Sequence, residues 1–168
     1  TLTQRVYRTI SEGYLAYFYG FNAHKCSGWK KAVGMLLFLF PVRRSEQNLK
    51  VMYLNNDRKG KLLEIGCGTG EMLSYFKEMG WEVEGLDFDD EAVKIALAKD
   101  ILVSCSTLED KFYKSNTFDV IVMNHLIEHV VDPTKLLHEC YRILKPGGQL
   151  LIATPNAESW GHKKYKSN

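Results

Sequence analysis

The sequence lacks the features that mark several specialised classes of protein. Its four cysteines stand singly, without a Cys-x-x-Cys pair, so we expect no zinc cluster and a reducing, cytoplasmic setting. Its apolar run Val33–Phe40 is shorter than the roughly 20 residues that span a bilayer. The basic residues near the start of the chain do not by themselves indicate a nucleic-acid partner, because a phosphate-binding surface needs cations clustered on one face.

The composition is that of one globular unit with an uneven distribution of charge. The chain has 168 residues, 45% of them hydrophobic, which is enough for a domain with a core. Residues 1–59 carry ten Lys/Arg and three Asp/Glu, a net +7, whereas residues 60–168 carry twelve and seventeen, a net −5. The basic segment is either a solvated face, which we favour, or a surface for something anionic.

The stretch Leu62–Gly70 reads Leu-Leu-Glu-Ile-Gly-Cys-Gly-Thr-Gly. Its apolar part predicts a short buried strand, and its three alternate glycines predict a turn that brings the backbone close to a ligand. Apolar residues at helical spacing in Glu71–Met79 predict a helix. Strand, glycine turn and helix together open a nucleotide-type binding site in an α/β sheet.

An acid follows the next predicted strand. Trp81–Leu86 predicts that strand, and Asp87 at its end is placed to accept hydrogen bonds from both hydroxyls of a ribose. The spacing G-x-G-x-G differs from the dinucleotide pattern G-x-G-x-x-G. A nicotinamide-dependent oxidoreductase is therefore the weaker alternative on this fold.

Further strands alternate with helices along the chain. We predict strands at Ile101–Cys105, Phe118–Met123 and Gln149–Thr154. One helix begins at the cap Asp89, and another runs from Asp132-Pro133 to a Pro-Gly-Gly turn. The fold class is α/β, a doubly wound, Rossmann-like and mostly parallel sheet with helices on both faces.

Four motifs together resemble those of class I S-adenosylmethionine-dependent methyltransferases: Glu64–Gly70, Gly85–Asp87, Phe118–Ile121 and Leu144–Gly148. The chain is most similar to the small-molecule branch that includes the ubiquinone-biosynthesis methyltransferases, over about residues 61–156. This resemblance implies S-adenosylmethionine as cofactor, S-adenosylhomocysteine as product, and methyl transfer to an oxygen, carbon or nitrogen of a small acceptor. A non-catalytic or incomplete S-adenosylmethionine-binding module is the alternative.

The family fold has seven strands, and we predict five here. We therefore expect a fragment, or a form without strands six and seven. The chain divides into a helical lid segment, residues 1–59, and a methyltransferase core, residues 60–168. We expect no nucleic-acid partner, because no Asn/Asp-Pro-Pro-Tyr motif occurs. The oligomeric state is not encoded in any motif.

The resemblance implies a set of cofactor-binding residues at one edge of the sheet. Glu64 orients the glycine loop or meets the cofactor's amino group through water. Thr107 stands where the family usually has an acidic or small polar residue beside the adenine, so a carboxylate contact is in question there. Asn124 lies towards the methionine part. The predicted set is Glu64, Gly66, Cys67, Gly68, Gly70, Asp87, Phe88, Thr107, Leu108 and Asn124.

His125 is the predicted catalytic residue, as a general base beside an oxygen or carbon acceptor, and His129 is its alternative. Residues 125–129 also fit H-x-x-E-H, a zinc-peptidase pattern that needs a long helix. Because Pro133 ends any such helix after about two turns, we discount the peptidase pattern. Some ubiquinone-type relatives hold a divalent cation here with an acid–acid–His set, but His125 stands at the position of its first acid, which disfavours a hard cation such as magnesium, so we expect no metal. Glu128 and His129 then either take part in catalysis or only form structural hydrogen bonds.

Half of the twenty aromatic residues precede residue 60. They predict helices that cover the sheet as a lid, or rings that fill the core, or both. The apolar run Val33–Phe40, within Trp29–Val42, is bracketed by cations and predicts a buried helix, with peripheral membrane contact as the weaker alternative. Ser45–Leu54 predicts a further helix. An aromatic lid favours an apolar, aromatic or lipid-linked acceptor.

Overall fold

A computed structural model describes residues 2–54 and 59–156 of the chain. Within these residues a five-stranded, entirely parallel sheet has the order β3-β2-β1-β4-β5. The chain builds outwards from β1 to β3 and then crosses to β4 on the other side, which is the doubly wound arrangement predicted. The strands are β1 (Lys61–Ile65), β2 (Glu82–Asp87), β3 (Leu102–Cys105), β4 (Phe118–Asn124) and β5 (Leu144–Ala153).

Helices cover both faces of the sheet, as predicted. Strand β1 alternates between two apolar cores, since Leu62 belongs to one and Leu63 to the other. The first core takes in the N-terminal helices, α4 and α5, and the second takes in α6. The helices are α1 (Leu2–Phe18), α2 (Gly28–Gly34), α3 (Pro41–Lys50), α4 (Glu71–Glu78), α5 (Asp90–Leu97) and α6 (Pro133–Ile143).

Two helix starts follow the capping chemistry in the sequence. The Asp89 carboxylate accepts hydrogen bonds from the backbone N–H groups of Glu91 and Ala92, at 2.9 and 3.3 Å. The Asp132 carboxylate accepts one from the N–H of Lys135, at 3.0 Å. Both predicted caps are confirmed, and Asp87 is left free for another role.

Two predicted elements have the wrong bounds. Helix α3 begins at Pro41 rather than Ser45, because proline suits the first turn of a helix, and it ends at Lys50 rather than Leu54. Strand β5 begins at Leu144, directly after α6, so the Pro-Gly-Gly predicted as a turn lies within the strand. Gly147 has a φ of +76°, and the pairing of β5 with β4 is irregular there. The Pro-Gly-Gly segment therefore forms a bulge within the strand and not a turn before it.

The N-terminal aromatic residues divide into buried and exposed groups. Tyr14 and Tyr19 lie in the core, and their hydroxyls donate to the same oxygen, Oδ1 of Asn48, at 2.8 and 3.0 Å. The predicted burial of Val33–Phe40 is wrong, because these residues form the end of α2 and a 3₁₀ turn, Met35–Leu39, with only one side against α1. Leu37 is buried, whereas its neighbours on either side are exposed.

Helices α1 and α2 cross at two glycines. A side chain on Gly13 would overlap the backbone of Lys30, and one on Gly34 would overlap the backbone of Tyr14. The absence of both Cβ atoms therefore allows the two backbones to touch, and this contact fixes the orientation of the segment that follows α2. No helix in residues 2–54 and 59–156 has the length and apolar character to traverse a bilayer.

We predict that Gly34→Ala destabilises the protein by about 1–3 kcal/mol, because the added methyl group overpacks a backbone contact. Gly28→Ala is the matched control, since a Cβ at Gly28 meets nothing within 4 Å. Urea unfolding followed by circular dichroism measures both variants. Equal stability of the two variants would contradict the close crossing of α1 and α2.

Candidate cofactor site

The glycine loop lies between β1 and α4 and is tied to the end of β2. The backbone N–H groups of Gly66 and Cys67 both donate to the carbonyl oxygen of Leu86, at 2.8 and 3.1 Å. Gly68 has a φ of +49°, and a Cβ there would meet nothing within 4 Å. The loop therefore presents bare backbone to open space, as close approach of a ligand requires.

Asp87, the last residue of β2, lies beside this loop and is hydrogen-bonded to it. Its Oδ2 accepts a hydrogen bond from the N–H of Gly68 at 2.6 Å, and its Oδ1 accepts one from the N–H of Asp89 at 2.9 Å. A carboxylate has about four acceptor positions, so each oxygen can accept a further bond. Asp87 is thus held in one orientation and keeps acceptor capacity for a diol.

Glu64 lies beneath the loop and is 3% exposed. Burial, and then the charge of Asp87, raise the pKa of its carboxyl group to about 8, against an opposing hydrogen bond from the backbone of Leu73. Its Oε2 has no hydrogen-bond partner in the described part of the chain. A buried polar atom without a partner at a cleft is the expected sign of a polar ligand or an ordered water.

Cys67 is a packed thiol. Burial, and then the neighbouring charges of Glu64 and Asp87, raise its pKa to about 12. The thiolate is the nucleophilic form of cysteine, so Cys67 is not suited to nucleophilic catalysis. Its contribution to the site is the shape of the loop.

A cleft of about 240 Å³ opens at the loop. It brings together five of the residues predicted from the sequence: Glu64, Gly66, Cys67, Gly68 and Asn124. It also contains residues that the sequence analysis did not find. These additional residues are Lys50, Thr69, Glu71, Met72 and Tyr75.

Four other predicted residues, Gly70, Phe88, Thr107 and Leu108, do not line this cleft. Gly70 is the N-cap of α4 with a φ of +69°. Phe88 follows β2 and is exposed, whereas Leu108 is fully buried in the second core, so only its backbone can face a ligand. Thr107 Oγ1 donates to Oδ2 of Asp110 at 2.7 Å. Asp110 therefore supplies a carboxylate beside the position where the sequence has threonine, and the spacing T-x-x-D is the signal that was missed.

His125 follows β4 at the carboxyl edge of the sheet. Its backbone N–H donates to the carbonyl oxygen of Ala153 at 2.8 Å, and its Nδ1 lies 3.5 Å from Oε1 of Glu128. The pKa of Glu128 is lowered, chiefly by its own backbone N–H, and its Oε2 accepts a hydrogen bond from Thr154 Oγ1 at 3.1 Å. Glu128 is thus a fixed anion that can orient the imidazole.

The H-x-x-E-H segment is not helical throughout. His125 has a φ of +53°, and Ile127–His129 is a single 3₁₀ turn. The shared helical face that a metal site of this pattern needs is therefore not formed. No group of three or more His, Cys, Asp or Glu side chains able to hold a metal occurs in residues 2–54 and 59–156.

A second cavity, of about 560 Å³, lies between α1, α3 and α4. It shares Lys50, Glu71 and Tyr75 with the cleft at the loop. Gln47 in its wall is 1% exposed and donates from Nε2 to the Tyr7 hydroxyl at 2.9 Å. Gln47 Oε1 and Ser11 Oγ have no partner among the residues described. The wall of the cavity combines aromatic rings with charged and polar side chains, and it contains buried acceptor atoms.

Comparison with known proteins agrees with this geometry. A family model described as "Methyltransferase domain" matches residues 39–167. A ubiquinone biosynthesis O-methyltransferase of Xanthomonas oryzae is 33% identical over 103 residues, which are 57% of this chain and 43% of that protein. The human mitochondrial enzyme of that name is 36% identical over 57% of this chain and 29% of its own length.

Solved structures show the same fold. A methyltransferase from Archaeoglobus fulgidus has a TM-score of 0.60 with 28% identity, over 69% of this chain and 52% of that one. Phosphoethanolamine N-methyltransferase 2 of Haemonchus contortus, solved with S-adenosylmethionine, has a TM-score of 0.59 with 27% identity, over 71% of this chain and 31% of its own.

The fold and the glycine loop define an α/β protein of the nucleotide-cofactor class. Within that class, the chain belongs to the methyltransferase domain family. It spans less than half the length of the curated relatives described above. The predicted resemblance is confirmed, and the nicotinamide-dependent alternative is not supported.

We predict that Glu64 makes the stability of the protein depend on pH. Its pKa in the fold, about 8, lies above its ordinary value of 4.5, so the fold favours the protonated form. The contribution of Glu64 to the free energy of unfolding is therefore complete below about pH 4.5. It decreases as the pH rises to about 8, by up to about 1.4 kcal/mol per pH unit. Glu64→Gln removes this loss.

Urea unfolding at pH 5 and pH 9 measures this effect. We expect Glu64→Gln to gain stability over the unsubstituted protein at pH 9 and not at pH 5. Glu82→Gln, at the exposed start of β2, is the matched control. An unchanged pH dependence in Glu64→Gln would show that Glu64 is solvated.

Proposed function

We propose that the chain binds S-adenosylmethionine and transfers its methyl group to a small-molecule acceptor. The observation that carries this proposal is the pair of carboxyl groups at the loop: Glu64 buried with an unpartnered oxygen, and Asp87 held against Gly68. The family, and relatives named as S-adenosylmethionine-dependent methyltransferases, support the choice of cofactor. When bound, the cofactor supplies a methyl group activated by a sulfonium.

The residues of the site divide between the parts of this cofactor. Asp87 would hold the ribose hydroxyls, because both of its oxygens keep acceptor capacity. Glu64 would meet the cationic amino group, directly or through water, and would lose its proton on binding. Phe88, Thr107 and the backbone of Leu108 would surround the adenine, with Asp110 as an added acceptor. Gly66, Cys67, Gly68 and Gly70 shape the loop, and Asn124 lies at the methionine end.

The acceptor is proposed to enter by way of the larger cavity. The cavity adjoins the loop cleft through Lys50, Glu71 and Tyr75, and residues 1–59 contribute most of its wall as a lid. Buried acceptor atoms on Gln47 and Ser11 favour a ligand that carries hydroxyl or amine donors on an apolar or aromatic body. The relatives described above include both O- and N-methyltransferases by name.

His125 is the proposed general base for a hydroxyl acceptor. It follows Asn124, which lines the cofactor cleft, and Glu128 lies 3.5 Å from its Nδ1. Such a pair leaves Nε2 to accept the proton of the acceptor. The chain's further roles are to hold the two reactants in line and to exclude water from them. A cytoplasmic setting is proposed on the unpaired cysteines alone.

We predict that Asp87→Ala weakens S-adenosylmethionine binding by about 10- to 150-fold, because a hydrogen bond to a charged group is worth roughly 1.5–3 kcal/mol. Titration calorimetry with S-adenosylmethionine and S-adenosylhomocysteine measures the loss for both ligands. Asp90→Ala, on the exposed side of α5, is the control, and thermal unfolding verifies that both variants fold. Unchanged affinity of Asp87→Ala for both ligands would show that Asp87 does not bind the cofactor.

We predict that His125→Asn lowers kcat by about 10²- to 10⁴-fold with a phenol acceptor, the usual contribution of a general base. Release of S-adenosylhomocysteine is measured with a panel of phenols and primary amines. Affinity for the cofactor stays unchanged, and His138→Asn on the exposed side of α6 is the matched control. Binding of the cofactor without turnover of any acceptor would favour the non-catalytic module.

A further inference from the structure

We propose that the apolar turn between α2 and α3 docks onto an anionic membrane surface. The docking face is defined by six exposed apolar side chains and the cations on either side of them in the chain. The proposal goes beyond methyl transfer and does not depend on it. The apolar members are Met35, Leu36, Phe38, Leu39, Phe40 and Val42, and the cations are Lys30, Lys31, Arg43 and Arg44.

The apolar members of the docking face are strongly exposed for their size. Leu39 and Val42 are 72% and 73% exposed, and Phe40 is 58% exposed. Single exposed apolar residues are ordinary, but a cluster of six within eight consecutive positions is not. Such a cluster marks a surface that is covered by something in use.

The docking face cannot turn inwards. Leu37, in the middle of the turn, is 2% exposed and anchors it in the core, so its neighbours must face away. The close crossing at Gly13 and Gly34 fixes the entry to the turn. Phe38 packs on Phe18 with ring centroids 5.6 Å apart. The exposure is therefore a property of the packed fold.

The charge around this face is mainly positive, although Arg43 is ion-paired with Glu46 at 3.1 Å. Residues 13–45 contain no Asp or Glu and five Lys or Arg residues. The guanidinium of Arg44 lies 4.7 Å from the centre of the Phe38 ring, which places a cation on the apolar cluster itself. Lys30, Lys31 and Arg44 form no ion pair within the part of the chain that the structure describes. These cations are available to an anionic partner.

An anionic bilayer fits both properties at once. Aliphatic and aromatic side chains enter the boundary between headgroups and acyl chains, while flanking cations contact anionic headgroups. A second copy of the chain would place like charges together across a two-fold axis. A nucleic acid would neutralise the cations but would leave Leu36, Leu39 and Val42 without an apolar partner.

Docking would also bring the larger cavity towards the lipid. Helix α3 begins at Pro41, inside the docking face, and carries Gln47 and Lys50 into the wall of that cavity. The same helix therefore connects the surface with the proposed acceptor site. If the acceptor is lipid-linked, this arrangement presents it at the membrane where it resides.

The test is flotation of the full chain with vesicles of two compositions. One is phosphatidylcholine alone, and the other contains about one third phosphatidylglycerol. We expect binding to the anionic vesicles that weakens at high salt, and little binding to the neutral ones. Absence of binding to the anionic vesicles would overturn the proposal.

Two sets of variants assign the binding to this face. Lys30→Gln, Lys31→Gln and Arg44→Gln combined should lower partitioning on the order of 100-fold, at about fivefold per cation. Leu39→Ser with Phe40→Ser should lower it at least about 10-fold. The matched controls, Lys114→Gln with Lys135→Gln and Phe112→Ser with Tyr141→Ser, change exposed residues elsewhere and should bind as before.

Two further measurements separate the alternatives. Thermal unfolding verifies that each variant folds. If Leu39→Ser with Phe40→Ser does not fold, the triple substitution of Lys30, Lys31 and Arg44 still tests the proposal.

Sedimentation velocity measures self-association of the unsubstituted chain. Vesicle binding that survives both sets of substitutions would overturn the proposal. Self-association that these substitutions abolish, without vesicle binding, would instead assign the face to contacts between copies.

Discussion

The hydrogen bonds between the glycine loop and the end of β2 hold the site together. Two loop N–H groups meet the carbonyl oxygen of Leu86, and a third meets the carboxylate of Asp87. These bonds turn the chain sharply after β1 and leave the outer side of the loop bare. The cleft, the position of Glu64 beneath it and the start of α4 all depend on this turn.

Glu64 shows that the fold keeps a group that does not favour its stability. A carboxyl group that is 3% exposed, with one oxygen unpartnered, costs free energy whenever it ionises. An apolar residue of similar size would pack there without that cost. Under the proposed function, the acid is explained by what it would offer a ligand: a carboxyl group that gives up its proton when a cation arrives. The same side chain would then account for both the local instability and the binding.

The sheet and half of the residues that line the cleft could be predicted from the sequence because their signals are local. Buried strands such as Phe118–Asn124 are apolar runs, and glycines and caps mark the turns. Lys50 and Tyr75 in the cleft, and Gln47 in the larger cavity, could not be predicted, because the sequence does not show that α3 and α4 line the same space. The burial of Val33–Phe40 was predicted wrongly for a related reason. Hydrophobicity shows that a segment seeks an apolar partner but not whether this chain provides one.

The junction of α6 with β5 has no connecting loop, since Ile143 ends the helix and Leu144 begins the strand. The far end of that strand accepts the backbone N–H of His125 through Ala153. Helix α6 and strand β5 thus connect directly to the backbone of His125, with the bulge at Gly147 between them. A displacement of α6 would reach the edge of the sheet where His125 lies only through this bulge and the paired part of β5 beyond it. This remote helix surface is where an engineered handle could act on His125 without entering the cleft.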